Sequence, residues 1–301
     1  MRCKTVLIAL VCGGLLPAPG IAQESRALRK IQETGIITVG FRDGSIPFSY
    51  LDKQQRPIGY SIDLCQRVVA AVRVKLGLPG LQVKFRPVTS ANRFSFVANG
   101  IVDLECGSTS NTIERQKDVA FTLTIFVASG SLVSKKHSNI QALSDLDGKT
   151  VATTAGTTYL RALADANRSL GIDMTIVAGR DHADSFRLLE SGRAQAFVMD
   201  DALLYGLAAN ARRPADYVIH NTDLSVEPYG IMVRKDDPQF KRVADEALAE
   251  VFRSGAIRQI YQKWFLSPIP PKNIVLQLPI SAVLKRFIAA PTDSGNPLDY
   301  R

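Results

Sequence analysis

With 301 residues, 46% of them hydrophobic, the chain exceeds the ~150 residues of a typical single domain and can bury two cores. Its formal charge of +9 comes from basic residues scattered along the chain, not gathered on one stripe, which argues against nucleic acid as a partner. Three histidines that do not cluster argue against a metal centre, and no nucleophile triad, phosphate loop or cofactor motif is present.

Arg2 and Lys4 lead into an uncharged apolar run over residues 5–16, which Pro17, Pro19 and Gly20 end. Gly20-Ile21-Ala22 supplies the small residues of a cleavage site, so residues 1–22 read as a secretory signal cut after Ala22, sending the chain to the periplasm. A spanning helix needs about 20 consecutive apolar residues, more than this run offers. Val11 is too bulky to precede a lipidated Cys12. Removal of the segment takes away Arg2 and Lys4, leaving +7, and leaves Cys65 and Cys106 in an oxidising space. Two small buried thiols are expected there; one disulfide is the alternative, because sequence cannot place their Cβ atoms within ~4 Å.

Ile36-Ile37-Thr38-Val39-Gly40-Phe41 reads as a buried strand and Ser45-Ile46-Pro47-Phe48 as the loop that leaves it. Gly59-Tyr60 opens a helix with Leu64, Val68, Ala71 and Val72 near helical spacing, residues 81–85 alternate as a strand, and a helix over 90–98 precedes a strand over 102–104. A second set begins near Ser129, with strands over 130–134, 150–154, 174–177 and 196–199 and helices over 157–167, 183–191 and 201–210. The chain returns with a strand over 230–233 and an amphipathic helix carrying Phe240, Val243, Ala247 and Val251, then a helix through Trp264 that Pro268, Pro270 and Pro271 stop. Residues 291–301 are polar and proline-containing and are expected to fray. Strands alternating with helices call for mostly parallel sheets.

Gly59-Tyr60-Ser61-Ile62-Asp63-Leu64 resembles the signature of the polar amino-acid family of periplasmic solute-binding proteins, which serve import pumps driven by ATP. Within that family the chain is similar to the glutamate/aspartate-binding branch through Glu105-Cys106-Gly107-Ser108-Thr109, Glu114-Arg115-Gln116, residues 181–187 and residues 200–204. Ser61 departs from the family, which usually has an acidic residue there. The resemblance runs from Leu28 to about Phe265. It implies an α/β, two-lobe periplasmic binding protein fold of type II, each lobe a mostly parallel sheet flanked by helices, the two joined by crossing strands near 125–129 and 226–230. Residues 23–127 and 228–301 then form lobe 1 and residues 128–227 lobe 2.

In open α/β sheets, ligands sit beyond the carboxyl ends of strands, where helix N-termini offer free N–H groups. An acidic amino acid brings two carboxylates and one ammonium, so a dry cleft must present cations and acceptors together. The resemblance places the α-carboxylate on Arg115, with the N–H groups of Thr157 and Thr158 at a helix start; a surface arginine paired with Asp118 or Glu114, and a plain capping turn, are the ordinary alternatives. Asp200, Ser108 and the Ser110 hydroxyl are expected to accept from the ammonium, Ser110 standing where relatives usually carry Thr. Arg42, Ser90, Arg93 and His182 are left for the side-chain carboxylate, Ser90 and Arg93 sharing the first turn of one helix. The expected protein is a monomeric, non-catalytic receptor that delivers L-glutamate or L-aspartate to the membrane permease of an ABC importer. An exported dehydratase on the same fold, or a receptor for another polar amino acid, is the alternative.

Overall fold

Ser25 caps helix α1 (Arg26–Thr34) by accepting from the Leu28 N–H, and Gly35, in the left-handed region at φ 65°, turns the chain into strand β1 (Ile36–Phe41). The computed structural model describes residues 25–301, so the expected signal segment 1–22 and its cleavage site lie outside the described residues. A small antiparallel sheet of β2 (Gly44–Ser45), β3 (Ser49–Leu51) and β4 (Pro57–Ile58) leads to α2 (Tyr60–Leu76), whose Leu64, Val68 and Val72 are buried. Then come β5 (Gln82–Pro87), α3 (Arg93–Ala98), β6 (Leu104–Glu105) and β7 (Val119–Phe121).

From β7 the chain enters the long β8 (Phe126–Lys135) and builds β9 (Thr150–Thr154), α4 (Tyr159–Leu170), β10 (Thr175–Gly179), α5 (His182–Glu190), β11 (Ala196–Asp200) and α6 (Asp201–Asn210). It returns through β12 (Tyr217–Tyr229) to β13 (Met232–Arg234), α7 (Pro238–Arg253), α8 (Ala256–Tyr261) and α9 (Ala282–Ala289).

Two five-stranded sheets result, ordered β5-β1-β6-β13-β7 and β10-β9-β11-β8-β12. In the first, β1 is parallel to β5 and β6 and only β13 opposes its neighbours; in the second, β9 is parallel to β10 and β11 and only β8 opposes. Two mostly parallel sheets, each flanked by helices, make the two lobes. The long strands β8 and β12 pair antiparallel, Val226 with Ser129 through Tyr229 with Phe126. At the lobe-1 end the Phe126 ring stacks on Phe265 at 5.2 Å and meets Phe48 edge-on at 4.8 Å, while Tyr229 meets Phe48 at 5.0 Å. Such aromatic pairs add about 0.5–1.5 kcal/mol each beyond their burial, so both crossings are anchored firmly in lobe 1.

Three expectations need correction. Cys65 and Cys106 form a disulfide, with Cα atoms 6.3 Å apart, instead of two free thiols: pairing of β1 with β6 lays the strand end that carries Cys106 against α2. Ser90 is not in the first turn of α3, which begins at Arg93; Thr89 and Asn92 bond each other's backbone N–H groups with their side chains and hold Ser90 in a turn ahead of the helix. The C-terminal residues do not fray. Residues 297–300 form a helical turn, and the buried Tyr300 hydroxyl lies 2.6 Å from Thr124 Oγ1 and donates to the Ser294 carbonyl.

Candidate functional site

The candidate side chains lie at strand ends or in the turns and helix starts that follow them. Arg42 follows β1 directly, and Ser108 and Ser110 follow β6; Ser90 and Arg93 come from the turn and start of α3, and Arg115 opens a short 3-10 turn. On the other lobe Thr157 and Thr158 precede α4, His182 begins α5 behind its cap Asp181, and Asp200 closes β11. Nine of these ten, with Met199 as an apolar wall, line one narrow slot with about 200 Å³ of atom-free space that opens onto solvent. Arg42 lies just behind the slot, where a Cβ on Gly107 would stand 2.9 Å from its Cγ.

The lobes touch around this slot. A Cβ on Gly156, which has φ 76°, would lie 2.7 Å from the carbonyl carbon and oxygen of Ser90, so only glycine allows that approach. Arg115 Nη2 donates across the same gap to the Gly156 carbonyl at 3.4 Å. Its Nη1 donates to the Ser110 carbonyl at 2.9 Å, and its guanidinium lies 5.0 Å from the Phe94 ring centroid. The guanidinium of Arg93 lies 5.3 Å from that same ring, and its Nη1 donates to Thr109 Oγ1 at 2.6 Å, which in turn donates to Glu105 Oε2 at 2.7 Å. Phe94 and Glu105 thus hold two cations in fixed poses.

Several polar atoms facing this region are buried without a protein partner: Arg42 Nε and Nη1, Arg93 Nε, His182 Nε2, and the hydroxyls of Ser90 and Ser108. Leaving a buried donor or acceptor unmade costs about 1–3 kcal/mol, more when it is charged. Burial, aided by Arg93, pulls Arg42 down to about 10, and the same two causes take Arg115 to about 10. Burial followed by the charges of Arg42 and Arg93 pushes His182 well below the usual histidine range, so it is neutral at pH 7; its Nδ1 lies 3.0 Å from Thr154 Oγ1. Asp200 is driven the other way, well above the usual carboxylate range, by burial and then by the charge of Glu227. An anion among the arginines and a cation beside Asp200 would each offset these costs.

The sequence reading passed over four side chains that shape the slot. Glu227 on β12 accepts from Thr158 Oγ1 at 3.0 Å, and the Tyr159 hydroxyl donates to Asp200 Oδ1 at 3.1 Å. Thr154 and Glu105 hold His182 and Arg93 as described. Glu105 stood in one of the quoted blocks, but nothing local marked its side chain as buried. Arg115 pairs with neither Asp118 nor Glu114; Glu114 pairs with Lys117 at 2.6 Å. Among the described residues no group of three or more His, Cys, Asp or Glu is placed to hold a metal ion.

Comparisons with known proteins bear on the whole chain. It is 51% identical to the L-glutamate/L-aspartate-binding protein of Pseudomonas aeruginosa, with 97% of each chain covered. It is 45% identical to the glutamate/aspartate import solute-binding protein of Escherichia coli K12, again over 97% of both. A crystal structure of a mutant of ArgBP from T. maritima superposes with a TM-score of 0.70 at 28% identity, over 79% of this chain and 98% of that one. The sequence profile of one family matches residues 37–267. The chain therefore belongs to family 3 of the bacterial extracellular solute-binding proteins.

Proposed function

We propose that the protein is a periplasmic receptor that encloses L-glutamate or L-aspartate in the interlobe slot and hands it to the permease of an ABC importer. The observation that carries this reading is the gathering of unpaired, buried polar atoms on Arg93 and His182, with those of Arg42 behind them, at a slot that Asp200 also lines. A ligand with a carboxylate at each end and an ammonium between them answers both demands. Arg115, with the N–H groups of Thr157 and Thr158, takes the α-carboxylate; Asp200, Ser108 and Ser110 take the ammonium; Arg42, Ser90, Arg93 and His182 take the distal carboxylate. Neutral His182 serves well here, because its Nε2–H can donate without a third buried charge. The names of the relatives at 51% and 45% identity support the same ligands.

The lobe limits that fit this reading are 23–127 with 228–301, and 128–227, joined at the β8/β12 crossing. Export with cleavage after Ala22 belongs to it as well. A binding role is favoured over catalysis because, although His182 or Asp200 could be proposed as the acid of an elimination, Arg42 and Arg93 together suit binding a second carboxylate better than releasing one, and the relatives at 51% and 45% identity are named as binding proteins. Titration calorimetry over the standard amino acids, with chromatography of the recovered ligand, tests this. Glutamate or aspartate should bind at least ~30-fold more tightly than glutamine, since an amide leaves arginine donors unpaired at a cost of ~2 kcal/mol or more, and the ligand should return unaltered. Equal affinity for glutamine and glutamate, or a changed ligand, overturns the reading.

A further inference from the structure

Glu227 lies on the second crossing strand and is 3% exposed. Its side chain accepts one hydrogen bond, from Thr158 Oγ1 at 3.0 Å, although a carboxylate offers about four acceptor sites. Two residues earlier, Ser225 Oγ lies 3.4 Å from the Tyr159 hydroxyl, which donates to Asp200 Oδ1. The strand thus meets the start of α4 at two side chains and joins it to Asp200.

Resting on the amino-acid reading of the slot, we propose that Glu227 is a positioning residue: from behind the slot it ties the turn at residues 156–158 to the crossing strand, and its buried charge acts on Asp200, the carboxylate that receives the ligand's ammonium. Two buried carboxylates whose charges reach each other repel unless a cation offsets them. The groups that act on Asp200 are Glu227 and Tyr229 from β12, Tyr159 from α4, Asp201 from α6, and Arg93 and Arg115 from the first lobe. The arginines draw Asp200 toward ionisation, whereas burial and then Glu227 favour its protonation. Asp200 must be ionised to accept the ammonium fully, so glutamate binding should fall off on the acid side, and Glu227 places that fall at a higher pH than Asp200 alone would.

The experiment is calorimetric titration of L-glutamate into the wild type, Glu227→Gln and Thr158→Val between about pH 4 and 8, with melting curves as a folding control. Use of one ligand throughout makes its own titration common to all three proteins. Glu227→Gln keeps an acceptor for Thr158 and removes the charge, so its acid limb should move to lower pH by about half a unit or more. Thr158→Val keeps the charge and removes the tether, so affinity should fall at every pH with the acid limb in place. An unmoved acid limb in Glu227→Gln, or a shifted one in Thr158→Val, overturns the proposal. If Glu227→Gln does not fold, Glu227→Asp, which withdraws the acceptor but keeps the charge, must behave as Thr158→Val; wild-type affinity there overturns it. A wild type that binds no amino acid at any pH would instead sink the reading on which the proposal rests.

Discussion

Gly206 of α6 and Ile46 of the loop between β2 and β3 meet across the two lobes so closely that a Cβ on Gly206 would lie 2.5 Å from the Ile46 carbonyl oxygen. That distance is shorter than any non-bonded carbon–oxygen contact can sustain, and the obstructing atom belongs to backbone. Gly206→Ala should therefore hold the lobes apart at this rim while leaving each lobe's own core intact. A ligand that needs the closed state loses affinity by the fraction of that state which remains, here about tenfold or more. Small-angle X-ray scattering with saturating glutamate should show the variant more extended than the wild type, and calorimetry should show weaker binding. Equal radius and equal affinity would show that the contact does not govern closure.

Arg115 and Arg93 share the Phe94 ring and line the same slot, and the proposed roles separate them. Arg115→Ala should abolish binding of every amino acid, because all ligands share the α-carboxylate. Arg93→Ala should weaken glutamate by about 100-fold or more while narrowing its advantage over glutamine. Calorimetry with both ligands on both variants decides; equal loss of both ligands in both variants would undo the division of labour.

Much of this site could be read from the chain because its polar residues cluster at strand ends, where local pattern marks both the strand and the helix that follows. Asp181-His182 and Asp200-Asp201 each stand at such a junction, and nine of the ten candidates converge on one slot with Arg42 behind it. Glu227 escaped because it sits inside a strand. Its burial arises from Thr158, 69 residues away, and from a sheet that pairs it with Ala128. The Cys65–Cys106 bond escaped for a related reason, since its partners meet only once β1 and β6 are in register. Ser90 was misplaced because a reciprocal Thr89–Asn92 bond delays the helix by three residues, a choice that periodicity does not reveal.

His182 sets a pH dependence with a definite sign. Its folded-state proton affinity is depressed below the ordinary value of about 6.5, so below that pH the unfolded chain binds a proton that the folded protein refuses. Stability from this group is thus fully present above about pH 6.5 and is lost as pH falls, by ~1.4 kcal/mol per unit. Asp200, whose proton affinity is raised, contributes the opposite slope above the usual carboxylate range, so the total curve mixes the two. Comparison of the wild type with His182→Gln isolates the first: denaturant melts without ligand between about pH 7 and 5 should show the variant losing less stability. Parallel curves would mean that His182 protonates freely in the folded protein.

The disulfide closes a loop of 41 residues between α2 and the segment that delivers Ser108 and Ser110. Chain entropy alone assigns it about 4 kcal/mol, which for a protein of this size is on the order of 10 °C in melting temperature. Reduction, or the pair Cys65→Ala with Cys106→Ala, should lower the melting temperature by that order. A melting point unchanged by a reductant that demonstrably frees both thiols would contradict it.

The C-terminal residues supply the last test, because they brace the loop that carries Arg115. Asn111 Nδ2 donates to the Asp293 carbonyl at 2.8 Å, the Ile113 N–H donates to the Gly295 carbonyl at 3.2 Å, and the Thr124 N–H donates to the Thr292 carbonyl at 2.7 Å. Lys241 adds an ion pair with Asp293 at 2.8 Å. Gly295 lies so near this loop that a Cβ there would come within 2.8 Å of the Ile113 nitrogen. Residues 111–116 form no long helix or strand of their own, so these bonds replace the support that regular structure would give. A chain ending after Ala290 should fold, since both sheets lie outside the removed segment, but Arg115 should lose its fixed pose. Affinity for glutamate and for glutamine should fall together by about tenfold, with their ratio preserved, because the distal-carboxylate residues do not touch the tail. Calorimetry with both ligands, beside circular dichroism to confirm folding, measures this. If truncation leaves both affinities unchanged, or alters their ratio, the tail does not act through Arg115.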